Sequence, residues 1–263
     1  MAAKNKFMNA MKMPAIADIF SSEAERQQMS GDLVTEVPLS ELHPFVNHPF
    51  EVRDDEDMQK LVDSIKENGV LTNLTVRPRA EGGYEIISGH RRFHAAQLAG
   101  LDKIKVQVRD VDDDQAIIDM VDANIQREHI SPMEKARALK MKNEAMKRSA
   151  GRRKENGCQL DTHFPEAKTA AQIGADVGES PKQIFRYIRL NELIPELQKK
   201  VDSNTLKFNP AVELSYLTPD EQQSFLDYAE AQDCTPSLSQ AQKLKAASKE
   251  GTLTLDKLEE IMS

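Results

Sequence analysis

The stretch IISGHRRFHAA, residues 86–96, joins a short apolar run to a segment with helical spacing, and the rest of the chain is organised around it. Residues 84–88 are rich in β-branched and aromatic side chains and predict a strand. Residues 93–97 repeat their apolar positions at helical spacing, and Gly100 ends that pattern. The stretch therefore predicts a strand, a turn at a glycine and then a helix.

A glycine followed by two arginines at such a turn suits a phosphate ligand. Gly89 would let a ligand approach the backbone closely, and the first turn of the new helix offers free N–H groups. Arg91 and Arg92 add two positive charges, so the pattern favours a polyphosphate. Adjacent arginines are also common as surface ion-pair partners, and the remaining sequence has to decide between these interpretations.

Length and composition limit the classes of protein that this chain can belong to. Its 263 residues, 39% of them hydrophobic and 30% charged, predict two or three small domains. No apolar run approaches the roughly 20 residues that span a bilayer, and no signal-peptide core is recognisable, so we expect a cytoplasmic protein without a membrane partner. Cys158 and Cys234 are isolated, which favours neither a disulfide framework nor a zinc site.

The net charge of −8 is distributed unevenly along the chain. Residues 1–130 carry 15 Lys and Arg against 23 Asp and Glu, residues 131–200 carry 15 against 9, and residues 201–263 carry 5 against 11. A basic middle region between acidic flanks is typical of a module that contacts DNA. The alternative is a solvated run of charges.

Strand and helix patterns alternate in the N-terminal part of the chain and predict a compact α+β domain. Strands are predicted at residues 33–39, 74–76, 84–88 and 104–108. Amphipathic helices are predicted between residues 58 and 69 and from residue 112 to Arg127. In the second helix, Asn124 and Arg127 lie three residues apart, so they would share one face and point at a ligand held by the glycine turn, or form a solvated helix end.

The basic middle region predicts a helix-turn-helix. A helix begins after Ser131 and runs to about Ser149, where a glycine-bounded basic loop interrupts it. A second helix opens at Thr169, Gly178 closes it, and Ser180 opens a third. The first turns of a recognition helix meet base edges and phosphates. The predicted DNA-binding residues are Thr169, Ser180, Lys182, Gln183, Arg186 and Arg189.

The last part of the chain predicts helices throughout. Helix starts are expected at Asn209, Thr218 and Thr235. The apolar positions between Leu253 and Met262 predict a final segment that docks on its own domain or pairs with another copy.

Taken together, ordered boxes within residues 33–215 resemble the ParB family of chromosome and plasmid partition proteins. Residues 49–53 resemble the family's proline-rich loop, residues 70–78 its V-L-x-x-x-x-V-R-P strand, residues 89–92 its G-E-R-R box, residues 123–128 its E-N-x-Q-R-E box and residues 173–180 its helix-turn-helix. Residues 1–30 are polar and lack a sustained period, which predicts a flexible arm. The resemblance implies a ParB/sulfiredoxin-like α+β nucleotide-binding domain over 31–128 and an all-α helix-turn-helix DNA-binding domain over 129–205, followed by a helical C-terminal segment over 206–263.

The resemblance also implies what the protein does. It implies a CTP-dependent, site-specific DNA-binding clamp that acts in the partition of a plasmid, a chromosome or a mobile element. The implied cofactors are CTP and Mg²⁺. The implied partners are double-stranded DNA with a palindromic centromere-like site, a second copy in a homodimer, and a ParA-type ATPase. The protein would then lie on the nucleoid or on a plasmid.

The residues that match the family's boxes take their expected roles from it. The implied nucleotide-binding residues are Arg53, Gly89, His90, Arg91, Arg92, Asn124 and Arg127, with Asn124 also near the metal ion; no catalytic residue is assigned. Three departures bear on hydrolysis: His90 and Ala123 replace family glutamates, and Glu51 stands where glutamine is usual. Since carboxylates position water or Mg²⁺, we expect slow hydrolysis of CTP, with His90 neutral or, beside a triphosphate, cationic.

Three other classes of protein compete with this interpretation. Sulfiredoxin shares the nucleotide-binding fold but needs a catalytic cysteine in the same turn, and residues 86–96 contain none. A ParB-like amino-acid kinase would not require a basic helix-turn-helix. A helix-turn-helix transcriptional regulator that ignores nucleotide remains the main alternative.

Overall fold

The computed structural model describes residues 33–127, 130–154 and 165–263, and the first of these ranges contains a five-stranded sheet. Its strands are β1 (Leu33–Pro38), β2 (Leu42–His43), β3 (Leu74–Pro78), β4 (Tyr84–Ser88) and β5 (Lys103–Val108). Their order across the sheet is β1-β5-β3-β4-β2, with β1 antiparallel to β5, β3 parallel to β5, β4 antiparallel to β3 and β2 parallel to β4. The four predicted strands are confirmed; β2, of two residues, is too short to show a period.

Three helices accompany the sheet: α1 (Glu56–Asn68), α2 (His90–Ala99) and α3 (Asp113–Asp122). Helix α2 lies between the sheet and α1. Its Phe93 belongs to the apolar cluster that contains Ile86 of β4, whereas Ala95 belongs to the cluster that contains Met58 of α1. Because both sides of α2 are packed, its first turn is held in place at the carboxyl end of β4.

The remainder of the described chain is helical. Its helices are α4 (Pro132–Lys154), α5 (Pro165–Val177), α6 (Pro181–Arg189), α7 (Pro195–Asp202), α8 (Phe208–Leu214), α9 (Pro219–Ala231), α10 (Leu238–Lys249) and α11 (Leu255–Met262). Short 3₁₀ turns occur at Leu39–Glu41 and Leu190–Glu192. Leu258 and Met262 of α11 are buried in the same apolar cluster as Met133 of α4. The final segment therefore docks on its own chain.

Several predicted helix boundaries are wrong. Helix α4 continues to Lys154, because a single glycine inside a helix costs only about 1 kcal/mol. Helix α5 begins at Pro165 rather than Thr169, since proline suits the first turn of a helix. Helix α10 begins after Ser237, which forms a capping box with Gln240 that overrides the earlier threonine. The basic loop was predicted over residues 151–157; residues 151–154 are helical instead, and the rest of it, like the predicted arm at residues 1–30, lies outside the described residues.

Helix α4 joins the α+β domain to the helical part through a buried cation. The side chain of Lys142 is 1% exposed, and its Nζ donates to Asp122 Oδ1 at 2.6 Å and to Asp176 Oδ2 at 2.7 Å. Asp122 ends α3 and Asp176 lies in α5. One ammonium group thus ties three helices together. None of the helices in the described ranges is long and apolar enough to cross a membrane.

Candidate nucleotide and nucleic-acid sites

The turn before α2 has room for glycine alone. Gly89 has φ +106°, and a Cβ there would lie 2.9 Å from Leu74 Cγ and 3.2 Å from Arg92 Nη2. It is also the N-cap of α2, and no side chain caps the first turn. The N–H groups of that turn are therefore available to a ligand, as expected for an anion site at a helix start.

Arg92 holds the chain segment opposite this turn. Its Nη1 donates to the carbonyl oxygens of Thr72 and Asn73, each at 2.7 Å. Burial lowers the pKa of Arg92 from its ordinary value, although the group stays a cation at neutral pH. Part of the guanidinium is thus committed to the backbone, so Arg92 has a structural role beside the predicted phosphate contact.

Two further arginines share this region of the surface. Arg91 Nη2 lies 3.5 Å from Asp55 Oδ1, a long contact on the N-cap of α1. The Arg127 guanidinium lies 5.8 Å from the centre of the Phe50 ring. Burial, followed by the positive charges of Arg91 and Arg92, lowers the pKa of Arg127, with Glu134 acting in the opposite sense. Three guanidinium groups therefore repel one another near the start of α2.

Arg53 is placed differently from the other predicted arginines. It follows Phe50 in the same loop, but its Nε pairs with Glu51 Oε2 at 3.2 Å, and both side chains are more than half exposed. An exposed pair of this kind contributes little to stability and exchanges easily. A role for Arg53 in nucleotide binding stays a prediction.

The expectation that Asn124 and Arg127 share a helix face is wrong. Helix α3 ends at Asp122, and the chain then tightens, with the Arg127 N–H donating to Asn124 O at 3.1 Å. The Asn124 side chain is buried, and its Nδ2 donates to the Met120 carbonyl at 2.7 Å. Asn124 thus closes the end of α3, and this turn, rather than the helix, carries Arg127 towards the other arginines.

The predicted metal site finds limited support in the geometry. Among the residues that the structure describes, no group of three or more His, Cys, Asp or Glu side chains could hold a metal ion. The amide oxygen of Asn124 is the remaining protein ligand of the prediction. Mg²⁺ commonly keeps several waters and binds through substrate phosphates, so it would enter with the nucleotide.

His90 lies beneath the turn and stacks on a second histidine that the sequence did not single out. Its side chain is 5% exposed, its Nε2 accepts the Phe45 N–H at 3.2 Å, and its ring centre lies 3.8 Å from that of His48. Burial, with smaller contributions from His48 and Arg127, lowers the pKa of His90 to about 3. His90 is therefore neutral in the chain without ligand, as expected, and its cationic form beside a triphosphate stays a prediction. His48 had one weak signal, its place directly before the proline-rich loop.

The predicted helix pair is present and closely packed. Glu179, in the turn between α5 and α6, donates its N–H to Gly174 O at 2.8 Å. A Cβ on Gly174 would overlap the Glu179 carbonyl oxygen. Ser180 Oγ accepts the Gln183 N–H at 3.2 Å, and the fully buried Ile184 packs against Ile173. The turn thus meets α5 through backbone atoms.

The predicted DNA-binding side chains differ in their accessibility. Lys182 is exposed at the start of α6, and Arg186 is half-buried, donating to Gln183 Oε1 at 3.1 Å and to Asn209 Oδ1 at 2.6 Å. The Arg189 side chain turns towards the segment after α8, where its Nη2 donates to the Ser215 carbonyl. Thr169 lies inside α5 and is 9% exposed, so its side chain is largely inaccessible to DNA, contrary to the prediction.

The sequence and the fold of this chain are similar to those of known proteins. Residues 23–125 match the ParB N-terminal domain. A probable chromosome-partitioning protein ParB of Neisseria meningitidis is 39% identical over 193 residues, which cover 73% of this chain and 60% of that protein. The Pnob8-like ParB-N domain covers 88% of this chain and 98% of its own, at 15% identity and a TM-score of 0.50, and supports the fold alone.

Two structures of the C-terminally truncated ParB of Caulobacter crescentus are also similar. The complex with the centromeric parS site has 22% identity and a TM-score of 0.47, covering 87% of this chain and 98% of that one. The complex with CTP-gamma-S has 27% identity and a TM-score of 0.34, covering 70% and 92%.

The matched region is shorter than the curated relatives, since it covers 56% to 63% of the length of five of them. The matched domain nevertheless contains the turn at Gly89 with its arginines, and the match to the Neisseria relative is longer than this domain. Through its N-terminal domain and the helices that follow it, the chain belongs to the ParB family.

Proposed function

We propose that this chain binds CTP at the start of α2 and duplex DNA through α6, and that it acts in the partition of a chromosome or plasmid. The observation that carries the proposal is the convergence of Arg91, Arg92 and Arg127 on an uncapped helix start behind Gly89. Relatives named as chromosome-partitioning proteins support the biological setting.

The convergence of arginines favours a compact polyanion. Three like charges brought together raise one another's free energy, and a triphosphate would relieve this by charge-assisted hydrogen bonds. The uncapped N–H groups of α2 would contribute further donors. Cytosine as the base is proposed from family membership. Mg²⁺ would bind with the phosphates.

The environment of His90 supports slow hydrolysis. Its Nε2 is occupied by the Phe45 N–H, so the neutral ring carries its proton on Nδ1 and has no free lone pair to accept a proton from water. The glutamate of the family's box would have one. The bound nucleotide would then persist and act as a long-lived switch.

Duplex DNA would be the second ligand. Lys182, Gln183 and Arg186 lie on the outward face at the start of α6, where a recognition helix contacts bases and phosphates. A palindromic site would call for a homodimer, with a ParA-type ATPase as a further partner on the nucleoid or plasmid.

Calorimetric titration with CTP and Mg²⁺ tests the proposal, with ATP and UTP as competitors. Arg91→Gln should weaken CTP binding about tenfold or more, because a hydrogen bond between charged groups is lost. Arg79→Gln removes the same charge from an Arg79–Glu81 pair elsewhere in the domain and should leave binding unchanged.

Two outcomes would overturn the nucleotide part: no binding of CTP by the wild type, or equal affinity in Arg91→Gln. If the wild type binds duplex DNA but no nucleotide, the chain is instead a nucleotide-independent regulator. Thermal unfolding of both variants shows whether the fold is retained.

A further inference from the structure

Two cationic side chains contact the ring of an exposed tyrosine beside α6. Tyr216, 47% exposed, follows α8, and the Arg189 guanidinium lies 4.3 Å from its ring centre while Lys245 Nζ lies 3.6 Å from it. Each cation is attracted by the ring, but the two charges repel each other across it. Glu213 neutralises one of them, since its Oε2 accepts from Lys245 Nζ at 2.7 Å. One positive charge is left over on this surface.

The Arg189 side chain is held in one orientation, in which it can bind an anion. Its Nη2 donates to the Ser215 carbonyl at 2.7 Å, which fixes the plane of the guanidinium over Tyr216. A fixed guanidinium loses little side-chain entropy when it binds a phosphate, so the contact is favourable for its size. Lys245, from the distant helix α10, is brought to the same ring.

This cation-aromatic surface, defined by Arg189, Tyr216 and Lys245, is continuous with the outer face of α6. Arg186 donates to Asn209 at the start of α8, and its guanidinium lies 5.1 Å from the centre of the Phe208 ring. From Lys182 to Arg189 the helix rises about 10 Å, and a duplex places one phosphate per strand about every 3.4 Å along its axis. The row of cations is therefore long enough to follow several phosphates.

The position of Lys245 stands out against its surroundings. Residues 201–263 carry only five lysines and no arginine, against eleven acidic residues. In this acidic segment, Lys245 brings an ammonium group to an exposed ring beside a basic helix, where Glu213 shares its charge.

We propose that Arg189, Tyr216 and Lys245 form a second contact surface for duplex DNA, which binds the phosphate backbone flanking the base pairs that α6 reads. This inference rests on the proposed function of α6 and adds the C-terminal helices to the DNA interface. Its two cations suit phosphate oxygens, so we expect its contribution to be the same for every sequence. An acidic peptide could also meet two cations on a ring, but the continuity with α6 favours DNA.

Salt-dependent DNA binding by the full chain tests the inference, with a mixed-sequence duplex of about 40 base pairs as the probe. Each lost phosphate contact lowers the slope of log K against log salt by about 0.9 and weakens binding about threefold at moderate salt. We expect this change in Lys245→Gln on specific and non-specific duplexes alike, and its reversal in Lys245→Arg. Lys243→Gln is the matched control, since this exposed lysine lies on the opposite flank of α10.

The possible results separate the inference from the proposed function. If the wild type binds DNA and Lys182→Gln/Arg186→Gln loses binding, while Lys245→Gln keeps the wild-type slope and affinity, the second surface is overturned and α6 stands. If the wild type binds no duplex, the proposed function itself fails. Tyr216→Phe keeps the ring and should bind as the wild type does, whereas Tyr216→Leu should reproduce the loss; an unchanged slope in Tyr216→Leu also counts against the surface.

Discussion

The cations at the start of α2 and those along α6 have different neighbours. At α2, the positive charges of Arg91 and Arg92 help to lower the pKa of Arg127, and Arg92 donates to two backbone carbonyls. Along α6, Arg186 and Arg189 each lie on an aromatic ring and donate to a neutral oxygen. The guanidinium groups are thus crowded together at the start of α2, whereas those of α6 are spaced along a surface.

The difference indicates two different shapes of anion. Crowded guanidiniums concentrate potential at one point, which suits a small ligand with several negative charges. Cations spread along a helix create a stripe, which suits a long polymer such as duplex DNA. Lys142 connects the two regions, because its partners end α3 on one side and lie in α5 on the other.

Removing the connection between the regions should have the largest effect. Lys142→Ala leaves two carboxylates and a cavity at a site that is 1% exposed, and we expect the free energy of unfolding to fall by about 3 kcal/mol. The estimate is at the low end because both carboxylates are half-exposed. Lys140→Ala, in the same helix, breaks only an exposed contact to Glu192 and should cost less than about 1 kcal/mol. Urea unfolding measures both, and equal losses would contradict the prediction.

Changing the turn should affect the first region alone. Gly89→Ala introduces a Cβ at positive φ and against Leu74 and Arg92, so we expect a loss of about 2–3 kcal/mol and weaker CTP binding. Gly100 also has positive φ but open space around its Cα. Gly100→Ala should therefore cost about 1 kcal/mol and leave CTP affinity unchanged. Calorimetry and thermal unfolding distinguish the two; similar CTP affinities would refute a role for the close approach at Gly89.

Acid should weaken the first region through His90. Its pKa is about 3 in the folded chain and about 6.5 when unfolded, so the unfolded state binds more protons between these values. The free energy of unfolding should fall as pH drops below about 6.5, by up to about 1.4 kcal/mol per unit. His90→Gln, whose oxygen can accept the Phe45 N–H, should flatten this dependence between about pH 7 and pH 5. Urea unfolding across this pH range measures the dependence, and a wild-type slope in His90→Gln would contradict the assignment to His90.

The smallest effect on stability is expected at the start of α6. Lys182→Gln changes an exposed side chain and should alter the free energy of unfolding by less than about 0.5 kcal/mol. Its affinity for DNA should nevertheless fall and its salt dependence flatten. Fluorescence anisotropy with labelled duplex measures this, and wild-type binding by Lys182→Gln would remove that residue from the interface.

Local signals were sufficient for much of the fold. The strand around Ile86 and the helix start at Ser131, which forms a capping box with Glu134, were predicted because composition and caps act over a few residues. The glycine turn was likewise predicted, since positive φ and close approach both require glycine. The family boxes extended this local information to the order of the domains.

Features that depend on distant partners were not predicted. In the sequence Lys142 resembles an ordinary surface lysine, because the carboxylates that contact it come from two other helices. Asn124 fits a helical pattern, but its side chain bonds the Met120 carbonyl and the helix stops before it. The pairing of Tyr216 with Arg189 and Lys245 joins residues far apart in sequence, which no periodicity records.

The contact between Gly174 and the turn that precedes α6 bears on how this protein could evolve. The turn rests on α5 through backbone atoms, and the one fully buried side chain of α6 is Ile184. The angle between the two helices therefore does not depend on the outward residues at positions 182, 183 and 186. Those positions can change from one lineage to another while the scaffold stays the same, so a new target sequence can be acquired without a new fold.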